Sequence, residues 1–92
     1  MFYVIAYDIP NDKRRKKVAD LLEGYGVRVQ YSVFECVLTP QQYGELSARL
    51  KRRMNMSEDN IRVYPVSSHT LTQVEIWGVG LPLTESGRSV II

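Results

Sequence analysis

Asp8 is the residue from which the chemistry of this chain can be argued. It closes an apolar run, Phe2 to Tyr7, and Lys13-Arg14-Arg15-Lys16-Lys17 follows after a short turn. Phe2, Val4 and Ala6 alternate with Tyr3, Ile5 and Tyr7, so both faces of the run are apolar, as in a central strand covered on each side. A central strand is rigid and holds its end in place. Open sheets with parallel strands carry their sites just beyond the carboxyl ends of those strands, and Asp8 stands there if this sheet is of that kind. The competing role for Asp8 is local, as an Asx-turn or cap into the next helix. Five cations at the positive end of a helix dipole cost stability, about 0.3 to 1 kcal/mol each where exposed, while free amides, dipole and cations all attract phosphate. A solvated charged face is the alternative for this run, above all for Arg15 and Lys16.

The elements that position these residues follow in order. Ile9-Pro10-Asn11-Asp12 is a turn in which Asn11 or Asp12 can cap a helix over about residues 13 to 25. Val18, Leu21, Leu22 and Tyr25 form its buried stripe, Gly24 breaks it, and Gly26 supplies a left-handed C-terminal residue. Residues 27–38 are strand-like with a change of phase near Tyr31-Ser32, which predicts one kinked strand or two short ones. Arg28 is the lone cation there, and Phe34 reads as core before it reads as a stacking platform. Thr39-Pro40-Gln41-Gln42 is a capping box with proline at the first helical position. Tyr43, Leu46, Leu50 and Met54 make the stripe of that second helix. Arg49, Lys51, Arg52 and Arg53 near its end have a sufficient reason in the dipole, so nucleic-acid contact is assigned to the first run before the second. Ile61 to Val66 is an edge strand by its proline, Leu71 to Trp77 reads as a fifth strand, His69 as a loop residue, and Arg88 to Ile92 as a further short strand or a docking segment.

The totals set the frame. Ninety-two residues make one domain, 1–92, and 45% hydrophobic content with nine aromatic residues suffices for a core with an apolar face to spare. Cys36 is alone and cannot bridge internally. No apolar run approaches a membrane span and no signal peptide is present, so the chain reads as cytoplasmic, with no membrane partner. A net charge of +2 does not identify a nucleic-acid binder, but nine of the twelve cations lie in the two runs, which makes the charge local. Strand, helix, strand, strand, helix, strand is the βαββαβ order of an α+β, ferredoxin-like sandwich. An extra C-terminal strand could pair across a twofold with the edge of a second copy, so a homodimer is expected.

YDIPNDKRRKKVADLLEGYGVRVQYSVFECVL at residues 7–38, with IRVYPV at 61–66, closely resembles the small CRISPR-associated endoribonuclease/endonuclease family of the spacer-acquisition module, the partner of the CRISPR integrase. The likeness covers residues 1–78 and leaves 79–92 as a tail suited to docking in the dimer. It implies a ferredoxin-like homodimer in which Asp8 from two subunits holds a divalent metal. By resemblance the catalytic residues are Tyr7, Asp8, Arg15, Arg28 and Phe34, and the nucleic-acid contacts Arg14, Arg15, Lys17 and Arg28. One carboxylate per chain is a poor metal site, whereas two meet the oxygen preference of Mg2+, with Mn2+ as substitute. The metal would polarise the phosphoryl group and activate water, with Arg15 or Arg28 offsetting the developing charge. The residues offer no general base, which predicts a slow nuclease favoured by alkaline pH.

Two functions are therefore implied. One is metal-dependent hydrolysis of single-stranded RNA or duplex DNA, which needs Asp8. The other is a non-catalytic DNA-binding adaptor bridging integrase dimers, which needs the cations and the dimer. A third, an RNA binder that stacks bases on sheet aromatics, is disfavoured by the apolar neighbours of Tyr3, Tyr7 and Phe34.

Overall fold

The computed structural model describes residues 1–85. Strands β1 (Phe2–Asp8), β2 (Val27–Gln30), β3 (Val33–Val37) and β4 (Asn60–Val66) form one sheet in the order β2-β3-β1-β4. Helices α1 (Asp12–Glu23) and α2 (Pro40–Arg53) pack on one face of it, and α3 (Ser68–Leu71) is a single turn. This is the ferredoxin-like sandwich, with β1 central and β4 at an edge as expected. Every neighbouring pair is antiparallel. The rule that placed a site beyond parallel strand ends therefore has no purchase here, and the position of Asp8 must be argued from its surroundings.

The helix boundaries follow from their caps. The Asn11 side chain accepts from the Arg14 amide at 2.9 Å, which settles Asn11 over Asp12 as the cap of α1. Thr39 Oγ1 accepts from the Gln42 amide at 3.1 Å and Gln42 Oε1 accepts from the Thr39 amide at 2.9 Å, completing the expected capping box of α2. The 27–38 stretch is two short strands, broken at Tyr31-Ser32, with a register shift between Arg28 and Gln30.

Between helices and sheet lie Ile5, Tyr7, Val18, Leu22, Phe34, Cys36, Leu46 and Leu50, all buried. Each such apolar side chain contributes roughly 1.5–3 kcal/mol on burial. Cys36 is among them, and burial pushes its thiol up to about 12. The opposite face of the sheet presents Phe2, Val4 and Ala6 from β1, beside Val33, Glu35 and Val37 of β3 and Arg62, Tyr64 and Val66 of β4.

Three expectations are corrected. Gly26 is not left-handed: α1 ends on right-handed Gly24, and positive φ among the described residues occurs only at Gly78 and Gly80. Gly26 is required instead by close approach, since a Cβ there would lie 2.4 Å from the Glu35 carbonyl oxygen and 2.5 Å from Cys36 Sγ. Leu71 to Trp77 does not form a fifth strand. Ser67 caps α3, which takes in His69 and Leu71, and residues 72–85 continue without regular structure. A strand needs a neighbour, and among the described residues the outer edges of this sheet, on β2 and β4, are left unpaired. The expected segment Arg88 to Ile92 lies outside the described residues.

Candidate metal and phosphate site

Asp8 is exposed at the last position of β1, opposite Asn60 of β4. Strand alternation puts it with Phe2, Val4 and Ala6 on the face away from the helices. Tyr7 points the other way, into the core, with 6% exposure, and burial raises its phenol above the usual range. The residues expected to act together are thus divided between the two sides of the sheet. Tyr7, Arg15, Arg28 and Phe34 belong to the helix side; Asp8 belongs to the open side.

On the helix side Tyr7 and Phe34 pack with ring centroids 6.3 Å apart, and the Arg28 guanidinium lies over the Phe34 ring at 5.3 Å. Phe34 is fully buried and cannot meet a base, so its contribution is to seat Arg28. Arg28 also reaches Glu23 at 3.8 Å. A groove of about 380 Å³ opens here, lined by Tyr7, Arg15, Lys16, Arg28 and Tyr31 together with acidic neighbours on α1. Its charge is mixed.

The first cation run is largely committed within the chain. Arg14 binds Asp59 through Nε at 2.8 Å and Nη2 at 3.0 Å, and also reaches Glu58. Arg15 donates to the Ile9 carbonyl oxygen at 3.0 Å and pairs with Asp12, pinning the turn between β1 and α1. Asp12 accordingly raises the Arg15 pKa further. Lys16 pairs with Asp20 at 2.9 Å. Lys13 and Lys17 are exposed and make no ion pair among the described residues. Sequence reasoning missed Asp59 and Glu58, which sit in a loop whose partner lies 45 and 44 residues earlier in the chain.

No group of three or more His, Cys, Asp or Glu side chains among the described residues is arranged to hold a metal ion. Asp8 alone offers an exposed, hard oxygen donor at the strand end, which fits magnesium only when a second such carboxylate joins it. Among the described residues no helix is long and apolar enough to cross a membrane.

The antiparallel four-stranded sandwich, with a carboxylate at the end of its central strand, defines a ferredoxin-like α+β protein. Residues 1–74 match the family described as CRISPR associated protein Cas2, and the chain belongs to that family. It is 62% identical over 90 residues to the CRISPR-associated endoribonuclease Cas2 3 of Synechocystis, covering 98% of this chain and 97% of that protein. It is 49% identical over 83 residues to the CRISPR-associated endonuclease Cas2 2 of Thermus thermophilus, covering 90% and 87%. Among solved structures, a chain of a partial Cas6-RT-Cas1–Cas2 complex is similar with a TM-score of 0.73 and 37% identity, covering 82% of each chain.

Proposed function

We propose that this protein is a metal-dependent endonuclease of CRISPR spacer acquisition, working as a homodimer in which Asp8 of both subunits holds Mg2+ or Mn2+ and a phosphodiester of RNA or duplex DNA is hydrolysed. The observation that carries the reading is the exposed Asp8 at the rigid end of β1, on the sheet face away from the helices, with no group of three or more metal-ligating side chains among the described residues to make a site within one chain. The face away from the helices, where Val4, Ala6, Val33 and Val37 are half-buried and the Thr84 amide donates to Glu35 Oε1 at 3.0 Å, supports a dimer, as do the exposed apolar side chains Val74, Ile76 and Trp77 of the segment after α3. When bound, the metal supplies a Lewis acid for the phosphoryl oxygen and an activated water. The chain's own residues bind and orient: Arg28, seated on Phe34, and Arg15, fixed by Asp12 and the Ile9 carbonyl, are cations of defined geometry on the helix side, while Arg62, opposite Ala6 on β4, lies on the face that carries Asp8. The names of the relatives support nuclease activity, endoribonuclease for the Synechocystis protein and endonuclease, with no nucleic acid specified, for the Thermus one.

The test is cleavage of labelled single-stranded RNA and duplex DNA by wild type and Asp8→Asn, with magnesium, manganese or chelator. Metal-dependent cleavage lost in a still dimeric Asp8→Asn is the expected result. Equal inertness of both proteins would remove the catalytic reading.

A second reading, a DNA-binding adaptor that joins integrase dimers, is favoured by the likeness to a chain from a partial Cas6-RT-Cas1–Cas2 complex. It predicts duplex binding and integrase association that survive Asp8→Asn.

A further inference from the structure

The two cation runs lie far apart in sequence but at one end of the molecule. β1 runs up to Asp8, so α1 begins at that end; β3 runs down from it, so α2 returns and finishes there. The Arg14 bonds to Asp59 and Glu58 tie the first turn of α1 to the loop that follows α2. Within this shared end the two runs have opposite fates. Arg14, Arg15 and Lys16 of the first are neutralised by partners in the same chain. None of Arg49, Lys51, Arg52 and Arg53 makes an ion pair among the described residues, and the acid nearest in sequence, Glu45, is engaged by the Tyr25 hydroxyl.

The helix dipole favours Lys51, Arg52 and Arg53, which lie in the last turn, but Arg49 lies before that turn and none of the four has an ion-pair partner among the described residues. The dipole's effect falls off within the last turn, and the only bond from these side chains to the helix backbone is a long one, Arg53 Nη1 to the Arg49 carbonyl oxygen at 3.4 Å. Arg49, Arg52 and Arg53 stand at i, i+3 and i+4, a spacing at which like charges repel on one helix face. An unneutralised, self-repelling row on a packed helix is the arrangement that gains from a polyanion, because each cation laid on a phosphate releases a condensed counterion.

We infer that the last turns of α2, through Arg49, Arg52 and Arg53, form the principal phosphate-backbone contact of a bound nucleic acid, with Lys13 and Lys17 of α1 continuing the track across the same end. The inference rests on the nucleic-acid reading above and reverses the order in which the two runs were assigned from sequence. A backbone lying on this track passes the end of β1 that carries Asp8. Arg14 is the brace that keeps the two helix ends together and is not itself a phosphate ligand.

The experiment is anisotropy of a labelled DNA duplex titrated with the protein across a range of sodium chloride. The proteins compared are wild type, Arg49→Gln/Arg52→Gln/Arg53→Gln, the same three positions changed to Lys, and Lys16→Gln. The glutamine triple variant is expected to lower the slope of log affinity against log salt by about 2–3 and to weaken binding about a hundredfold near 0.1 M salt. The lysine variant should keep the wild-type slope, and Lys16→Gln should change it by less than about 1. Wild-type binding with an unchanged slope in the glutamine variant would overturn the α2 track and leave the nucleic-acid reading standing. Absence of salt-dependent binding by wild type would overturn both. Matching circular dichroism spectra and dimer masses for all four proteins exclude unfolding as the cause of a loss.

Discussion

Arg14 grips Asp59 with two parallel bonds, 2.8 Å from Nε and 3.0 Å from Nη2, across 45 residues of chain. Asp59 has no exposed side-chain surface and also accepts the Asn55 amide at 2.8 Å, so one carboxylate orders the α2–β4 loop and fastens it to α1. The Arg14 guanidinium holds this carboxyl below the usual aspartate range. In the unfolded chain Asp59 therefore takes up a proton at higher pH than in the folded one, and the stability it contributes is complete above the ordinary carboxylate pKa of about 3.9 and lost as the pH falls below it. Thermal denaturation followed from neutral to strongly acidic pH should show a lower melting temperature for Asp59→Asn than for wild type near neutrality. The two curves should converge in acid. Coincident curves would mean that the pair adds nothing to the fold, and a constant offset that the loss does not come from the Asp59 charge.

Two glycines make opposite predictions. A Cβ at Gly26 meets a backbone oxygen at 2.4 Å, which no rotamer change relieves, so Gly26→Ala should destabilise by about 1–3 kcal/mol or more. Gly44 lies inside α2 with nothing within 4 Å of its missing Cβ. Gly44→Ala should stabilise by roughly 0.5–1 kcal/mol through the entropy of the unfolded chain. Urea denaturation of both variants measures the pair, and equal effects would show that the approach of Gly26 to β3 is not limiting.

Much of the fold could be read from local signals because those signals are local in cause. The Thr39 to Gln42 box, the Asn11 cap and the break at Tyr31-Ser32 each depend on a few neighbouring residues, and each is present. The exposed end of β1 at Asp8 was readable for the same reason. What local pattern could not carry was pairing at a distance. The acids that neutralise Arg14 belong to a loop reached only after α2 has crossed the sheet, and the crowding that demands Gly26 comes from β3. Alternation along β1 already implied that Tyr7 and Asp8 face opposite ways, but which face the helices cover becomes visible only in the assembled sheet. The missing fifth strand has a related origin: Leu71 to Trp77 has strand composition, yet a strand is a property of two segments, and among the described residues no second segment pairs with it.

Cys36 is fully buried and its thiol is pushed up to about 12, so at pH 8 it is neither ionised nor reachable. Reaction with a thiol reagent in the native protein should proceed only at the rate of opening. Adding denaturant should convert it to a fast, stoichiometric reaction. Rapid labelling without denaturant would mean that β3 opens far more readily than a central position in the core allows.

The role assigned to Phe34 can be separated from its packing. Phe34→Ala would remove a fully buried ring and cost about 3–5 kcal/mol, a large share of the stability of a domain this size, so loss of activity in that variant would be uninformative. Phe34→Leu keeps an apolar side chain at the site, should cost less than about 1.5 kcal/mol if the neighbours repack, and removes the aromatic face beneath the Arg28 guanidinium. If Phe34 acts by seating Arg28, then Phe34→Leu and Arg28→Gln should lower cleavage by similar factors and the double variant should be no worse than either alone. Multiplicative losses would mean that the two act separately. An active Phe34→Leu beside an inactive Arg28→Gln would mean that the ring is core and nothing more, and that Arg28 is held well enough by Glu23 and the β2 backbone.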